Sequence, residues 1–241
     1  RALQSYESLL KPNPNSMVAL NNIAYLLSER LGQVDRALEF ARRVRNLAPL
    51  DPYAGDTFGW IMWKKGQYVE ALAALQQSAE RLGDQPEVQY HLGMAQYMIG
   101  DTESATVSLT KAAQSTNDFL GKDIASDALA ILKIDPDKTS PDAIAAVERH
   151  VSRNPNDIFA QVQLARLHQA NQNPNKALEV YERALAKNPK SALVLAGVAG
   201  LYSHDLKQPA RAMEYARQAW TASPTPATAA KRAPCRSVLP S

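Results

Sequence analysis

The chain has 241 residues, 45% apolar and 21% charged, which are ordinary globular proportions with enough apolar material for a core. Its net charge of +3, with no lysine/arginine cluster on any one segment, gives no electrostatic footprint for nucleic acid. A single cysteine, Cys235, excludes an internal disulfide framework and a multi-thiolate metal site, and no apolar run approaches the length of a membrane span.

Alanine, leucine, glutamine, glutamate and arginine are plentiful while glycine and β-branched residues are scarce, so helices are expected throughout. The opening RALQSYESLL reads as the middle of an amphipathic helix, and the chain is expected to be a piece of a longer one. KPNPNS then breaks the helix and ends at Ser16, and the phrase returns as NLAPLDP (46–52), RNPND (153–157) and KNPKS (187–191). The proline of each phrase or its stand-in falls at Pro14, Pro49, Gly83, Asn117, Pro155, Pro189 and Pro224. The steps are 35, 34, 34, 38, 34 and 35 residues. Such an interval holds two helices of roughly 14 residues and two short turns, and proline after asparagine stops one helix and helps start the next.

Between the breakers, DTFGWIMWKKGQYVEALAALQQSA places Gly59, Ala71 and Ser78 at small positions around a turn at Gly66. YHLGMAQYMIGDTESATVSLTKAA repeats this with Gly93, Gly100, Ala105 and Ala112. IFAQVQLARLHQANQNPNKALEVYERALAKNP carries Ala165, Ala177, Tyr181, Ala184 and Pro189. These residues resemble the tetratricopeptide repeat, a helix–turn–helix unit of 34 residues, over nearly everything from residue 1 to 224. The resemblance implies an all-α fold: a right-handed superhelical solenoid of antiparallel helix pairs, with a concave groove lined by the first helix of each pair. Small residues then allow close helix approach, and Tyr181 fills the space between successive pairs.

The 38-residue step departs from the pattern, since residues 118–133 lack the family's residues and a longer loop follows. A first array is therefore expected over 1–133 (a partial repeat, three full repeats and a degenerate closing helix), a joint over 134–140 and a second array over 141–224. Sliding the chain by 175 residues matches about twenty of the first 49 positions, including Tyr6 with Tyr181, so the repeats also carry a longer-period duplication. From Thr225 the periodicity is lost in KRAPCRSVLPS, and residues 225–241 read as a disordered tail.

With Gly59 and Gly93 at repeat position 8, groove-facing positions 2, 5, 6, 9, 12 and 13 give an aromatic set. The candidate partner-binding residues are Asn22, Tyr25, Tyr53, Asp56, Trp60, Trp63, Tyr90, His91, Met94 and Tyr97. Aromatic rings with polar tips and flexible methionines suit an extended peptide or a partner's helix. A clamp for a C-terminal carboxylate is disfavoured, because Asn22, Lys64 and Arg166 are too few and far apart and Asp56 opposes them. No catalytic constellation is legible: His91, His150, His168 and His204 stand in different units, and Gly121–Lys122 lacks the rest of a phosphate loop. No metal or cofactor is expected.

The expected function is a non-catalytic scaffold that binds a protein or peptide, with no nucleic acid and no insertion of this segment into a membrane. Self-association through the open end after residue 224 is a further expectation. The run from Asn21 to Ala41 followed by Asp56–Trp60 resembles long bacterial arrays of exopolysaccharide and protein-sorting clusters, which favours the cell envelope or periplasm over the cytoplasm. The competing class is a substrate-selecting arm of an enzyme, such as a glycosyltransferase, with its catalytic domain elsewhere.

Overall fold

The computed structural model describes residues 1–138 and 140–222. All regular structure among them is helical, and the chain divides into two compact units, Arg1–Lys133 and the residues from Ile134 on. The expected tail, 225–241, lies outside the described residues.

In the first unit α1 (Ala2–Leu10) precedes three hairpins and a closing helix. The hairpins are α2 (Met17–Glu29) with α3 (Val34–Leu47), α4 (Pro52–Lys64) with α5 (Tyr68–Leu82), and α6 (Pro86–Ile99) with α7 (Thr102–Ala113); α8 (Lys122–Leu132) closes the stack. The second unit begins with a short 3-10 turn, Pro136–Lys138, where sequence alone suggests only a loop. Then follow α9 (Pro141–Arg153), the hairpin of α10 (Ile158–Ala170) and α11 (Pro174–Lys187), and that of α12 (Ala192–His204) and α13 (Pro209–Ala222). Each unit is thus an all-α stack of repeated hairpins.

The recurrent phrase proves to be a turn joined to a helix cap. Its last polar residue accepts a hydrogen bond from a backbone N–H in the first turn of the next helix: Ser16 from Ala19, Asp51 from Ala54, Asp157 from Ala160 and Ser191 from Val194. These bonds satisfy donors that the helix itself leaves without partners, while Pro52 at the start of α4 has no N–H to satisfy.

Close approach within a hairpin rests on the small positions. A Cβ on Gly59 would stand 2.7 Å from Leu75 Cγ, and one on Gly93 would stand 2.7 Å from Leu109 Cγ, the same contact one repeat later. Around it Ile23, Leu27, Leu38, Ile61, Leu75 and Leu92 form one core across three hairpins. First helices of successive hairpins touch one another (α2 with α4, α4 with α6) more closely than the second helices do, so this unit curves with its first helices on the inner face.

The hairpin turns need a left-handed residue. Gly66 and Gly100 supply it at φ 75° and 82°, whereas Gln172 and Lys207 adopt φ 56° and 52° with side chains that strain this conformation. Gln172→Gly is therefore expected to stabilise the second unit by about 0.5–1 kcal/mol, read as a higher urea midpoint with an unchanged slope. An unchanged midpoint would show that Gln172 is not strained.

Candidate functional site

The inner face of the first unit holds a cleft of about 160 Å³ between α2, α4 and α6. Tyr25, Tyr53, Asp56, Trp60 and His91 line it, so half of the sequence-derived set meets at one place. Tyr53, in the first turn of α4, is 59% exposed, whereas Trp60, two turns further along, is only 6% exposed.

A run of flat groups fixes the wall. Trp60 stacks on Trp63 with centroids 4.4 Å apart and on His91 at 4.2 Å, and Tyr90 tilts against Trp60 at 5.2 Å. The His91 Nδ1–H donates to the Asp56 carboxylate, 3.0 Å from each oxygen, so one side chain is held by a ring above and a charge beside it. At the other edge Lys64 Nζ bonds Glu29 Oε1 at 2.8 Å and lies 6.0 Å from the Trp60 ring centroid. Ser28 Oγ donates to the same Glu29 oxygen at 3.2 Å.

The electrostatics of the cleft are acidic. Burial, reinforced by Asp56 and Glu29, holds the Glu87 carboxyl above its ordinary range, with His91 acting against it. Burial and then the carboxylates of Glu87 and Glu29 push the Tyr25 phenol up, and burial also raises that of Tyr90. Sequence reasoning passed over Glu87 although it occupies repeat position 2, as Tyr53 does. Asn21 and Glu29 also line the cleft.

The remaining sequence-derived residues stand elsewhere. Tyr90, Met94 and Tyr97 are interior side chains, which corrects their assignment to an open groove. The cause is that α4, α5, α7 and α8 all pack on α6, whose residues Val88–Met98 are buried. The Tyr90 ring leans on Phe119 at 5.8 Å and on Gly121, where φ of 112° and the missing Cβ admit it. Asn22 is outside the cleft and donates to Val18 O at 2.8 Å, while Trp63 is half-buried behind Trp60 with its indole N–H sheltered and unpartnered. His150 pairs with Asp157 and His168 with Glu148, and no group of three or more ligating side chains among the described residues could hold a metal ion. No described helix is long and apolar enough to cross a membrane.

Residues 57–118 and 158–201 each match a family model described as tetratricopeptide repeat. Both stretches carry tetratricopeptide repeats. The first matched stretch contains most of the cleft wall on α4 and α6. The TPR repeat-containing protein PA4667 of Pseudomonas aeruginosa is 35% identical over 80 residues, 33% of this chain and 13% of that protein's length. Solved structures are similar at a looser level. A tetratricopeptide repeat protein of Parabacteroides merdae aligns over 95% of this chain and 88% of its own at 12% identity, with a TM-score of 0.44. YrrB, described as a TPR protein with an unusual peptide-binding site, aligns over 96% of this chain and 100% of its own at 17% identity, with a TM-score of 0.39. Tetratricopeptide repeats act as protein–protein interaction scaffolds and are typically non-catalytic.

Proposed function

We propose that the first unit holds a peptide segment or helix of a partner protein in its inner cleft, as a non-catalytic scaffold within a bacterial multiprotein assembly. One observation carries this reading: the exposed Tyr53 stands over a cleft to which all three hairpins contribute, beside the half-buried Tyr25. Rings with an apolar body and a hydroxyl tip give contact area at small entropic cost. At about 160 Å³ the cleft is below the roughly 300–1,000 Å³ of small-molecule pockets and has room for single side chains of a longer ligand.

The test is a positional library of short labelled peptides titrated onto the full chain by fluorescence anisotropy. Tyr53→Ser is expected to weaken the selected peptides about tenfold while leaving thermal stability nearly unchanged, because the side chain is exposed. Selected peptides that bind Tyr53→Ser and Tyr25→Ala variants as well as the parent chain would overturn the proposal.

A further inference from the structure

We propose that the cleft of the first unit reads a lysine or arginine side chain of the bound peptide, its cationic end meeting Glu87 and its alkyl stem lying along Tyr25 and Tyr53. The inference rests on the peptide-binding reading above and adds what the peptide must carry.

Three carboxylates line the cleft, Lys64 and His91 are bonded to two of them, and Arg30 acts on the Tyr25 phenol, so direct pairing leaves one carboxylate over. Glu29 is neutralised by Lys64 at 2.8 Å, and Asp56 is engaged by His91 at 3.0 Å. Glu87 has no ion pair or hydrogen bond among the described residues, yet it is half-buried on α6 facing Asp56 on α4 and Glu29 on α2. Glu87 is therefore the one carboxylate lining the cleft that no described basic side chain bonds. The cleft's own Lys64 cannot supply the cation, being bonded to Glu29 and to the Ser28 carbonyl at 3.4 Å.

Two further features favour a long cationic side chain over a bare ion. The rings of Tyr25 and Tyr53 line the approach, and aromatic faces attract ammonium and guanidinium groups while covering their methylenes. Asn21, which also lines the cleft, keeps its Oδ1 oxygen sheltered from solvent without a hydrogen-bond partner. That oxygen is an acceptor left over in a place where N–H donors would arrive. An acidic or carboxylate-terminated peptide meets repulsion here, which separates this cleft from a carboxylate clamp.

An unpaired carboxylate held in a half-buried site destabilises the free protein when ionised, and a bound cation removes that cost. Glu87→Gln should therefore act in opposite directions on stability and on binding. A side chain with a purely structural role would lose both together.

The experiment uses the same positional peptide library on the full chain at pH 7. The expected result is one peptide position at which lysine and arginine exceed glutamine and glutamate by about tenfold or more. Glu87→Gln is expected to abolish that preference and to raise the melting temperature, and Glu87→Lys is expected to reverse the preference towards acidic residues. Peptides that bind without a basic preference, or whose preference survives both substitutions, would overturn this inference and leave the peptide-binding reading standing. If no peptide binds, both fall. Spermidine displacing a lysine-containing peptide at concentrations well below that peptide's own dissociation constant would reassign the cleft to free polyamines and overturn the peptide assignment.

Discussion

Alanine in place of Trp60 is expected to remove about 3–5 kcal/mol from the stability of the first unit. The indole is 6% exposed and contacts three flat partners, Trp63 at 4.4 Å, His91 at 4.2 Å and Tyr90 at 5.2 Å. Truncation deletes these contacts, worth more than area burial alone, and leaves a void that the surrounding helices fill only in part. It also uncovers the His91–Asp56 pair. Urea denaturation followed by circular dichroism measures the loss. A cost below about 1 kcal/mol would place Trp60 outside the core. The neighbouring Tyr53→Ser should cost no more than about 0.5 kcal/mol, so binding data from Tyr53 variants report on the cleft and those from Trp60 variants report on folding.

The contrast between these two residues marks where sequence reading stops. Both lie on α4 at groove-facing repeat positions, and helical periodicity gives the direction in which each side chain leaves the axis. It does not give the height of the neighbouring wall. Tyr53 leaves the first turn of α4 and is exposed, whereas Trp60 is enclosed by Trp63 and His91. Tyr90, Met94 and Tyr97 fail for the same reason, since burial on α6 depends on the preceding hairpin α4–α5 and the closing helix α8 as well as on its own partner α7. Features set by neighbours in sequence were legible: the helix-breaking phrases, in which the structure then places caps at Ser16, Asp51, Asp157 and Ser191, and the small positions Gly59 and Gly93. Glu87 was also within reach, because its repeat position matches that of Tyr53, but only the folded arrangement shows its carboxylate to be unpaired. The segment after Asn117 shows only as a degenerate helix in the sequence, because α8 starts late, at Lys122, behind a positive-φ glycine shaped to the Tyr90 ring.

In the second unit the largest single loss is expected at Tyr181. This ring is 1% exposed on α11 and lies against Gly197 of the next hairpin, where an added Cβ would come within 2.7 Å of the ring's Cε1, Cζ and Oη atoms. A side chain that fills the joint between hairpins contributes to the interface energy on which a repeat stack depends, since one hairpin alone cannot cover its apolar face. Tyr181→Ala should cost about 3–5 kcal/mol. The hydroxyl donates to Gln169 Oε1 at 3.2 Å, and burial pushes the phenol up to about 12, so it remains a donor at any physiological pH. Tyr181→Phe keeps the ring and loses that bond together with the hydroxyl's interaction with Arg166, for an expected cost of about 0.5–1.5 kcal/mol. The two values separate packing from hydrogen bonding at the joint. If phenylalanine cost as much as alanine, hydrogen bonding by the hydroxyl within the α10–α11 hairpin would carry the loss, and the fit of ring to glycine would be incidental.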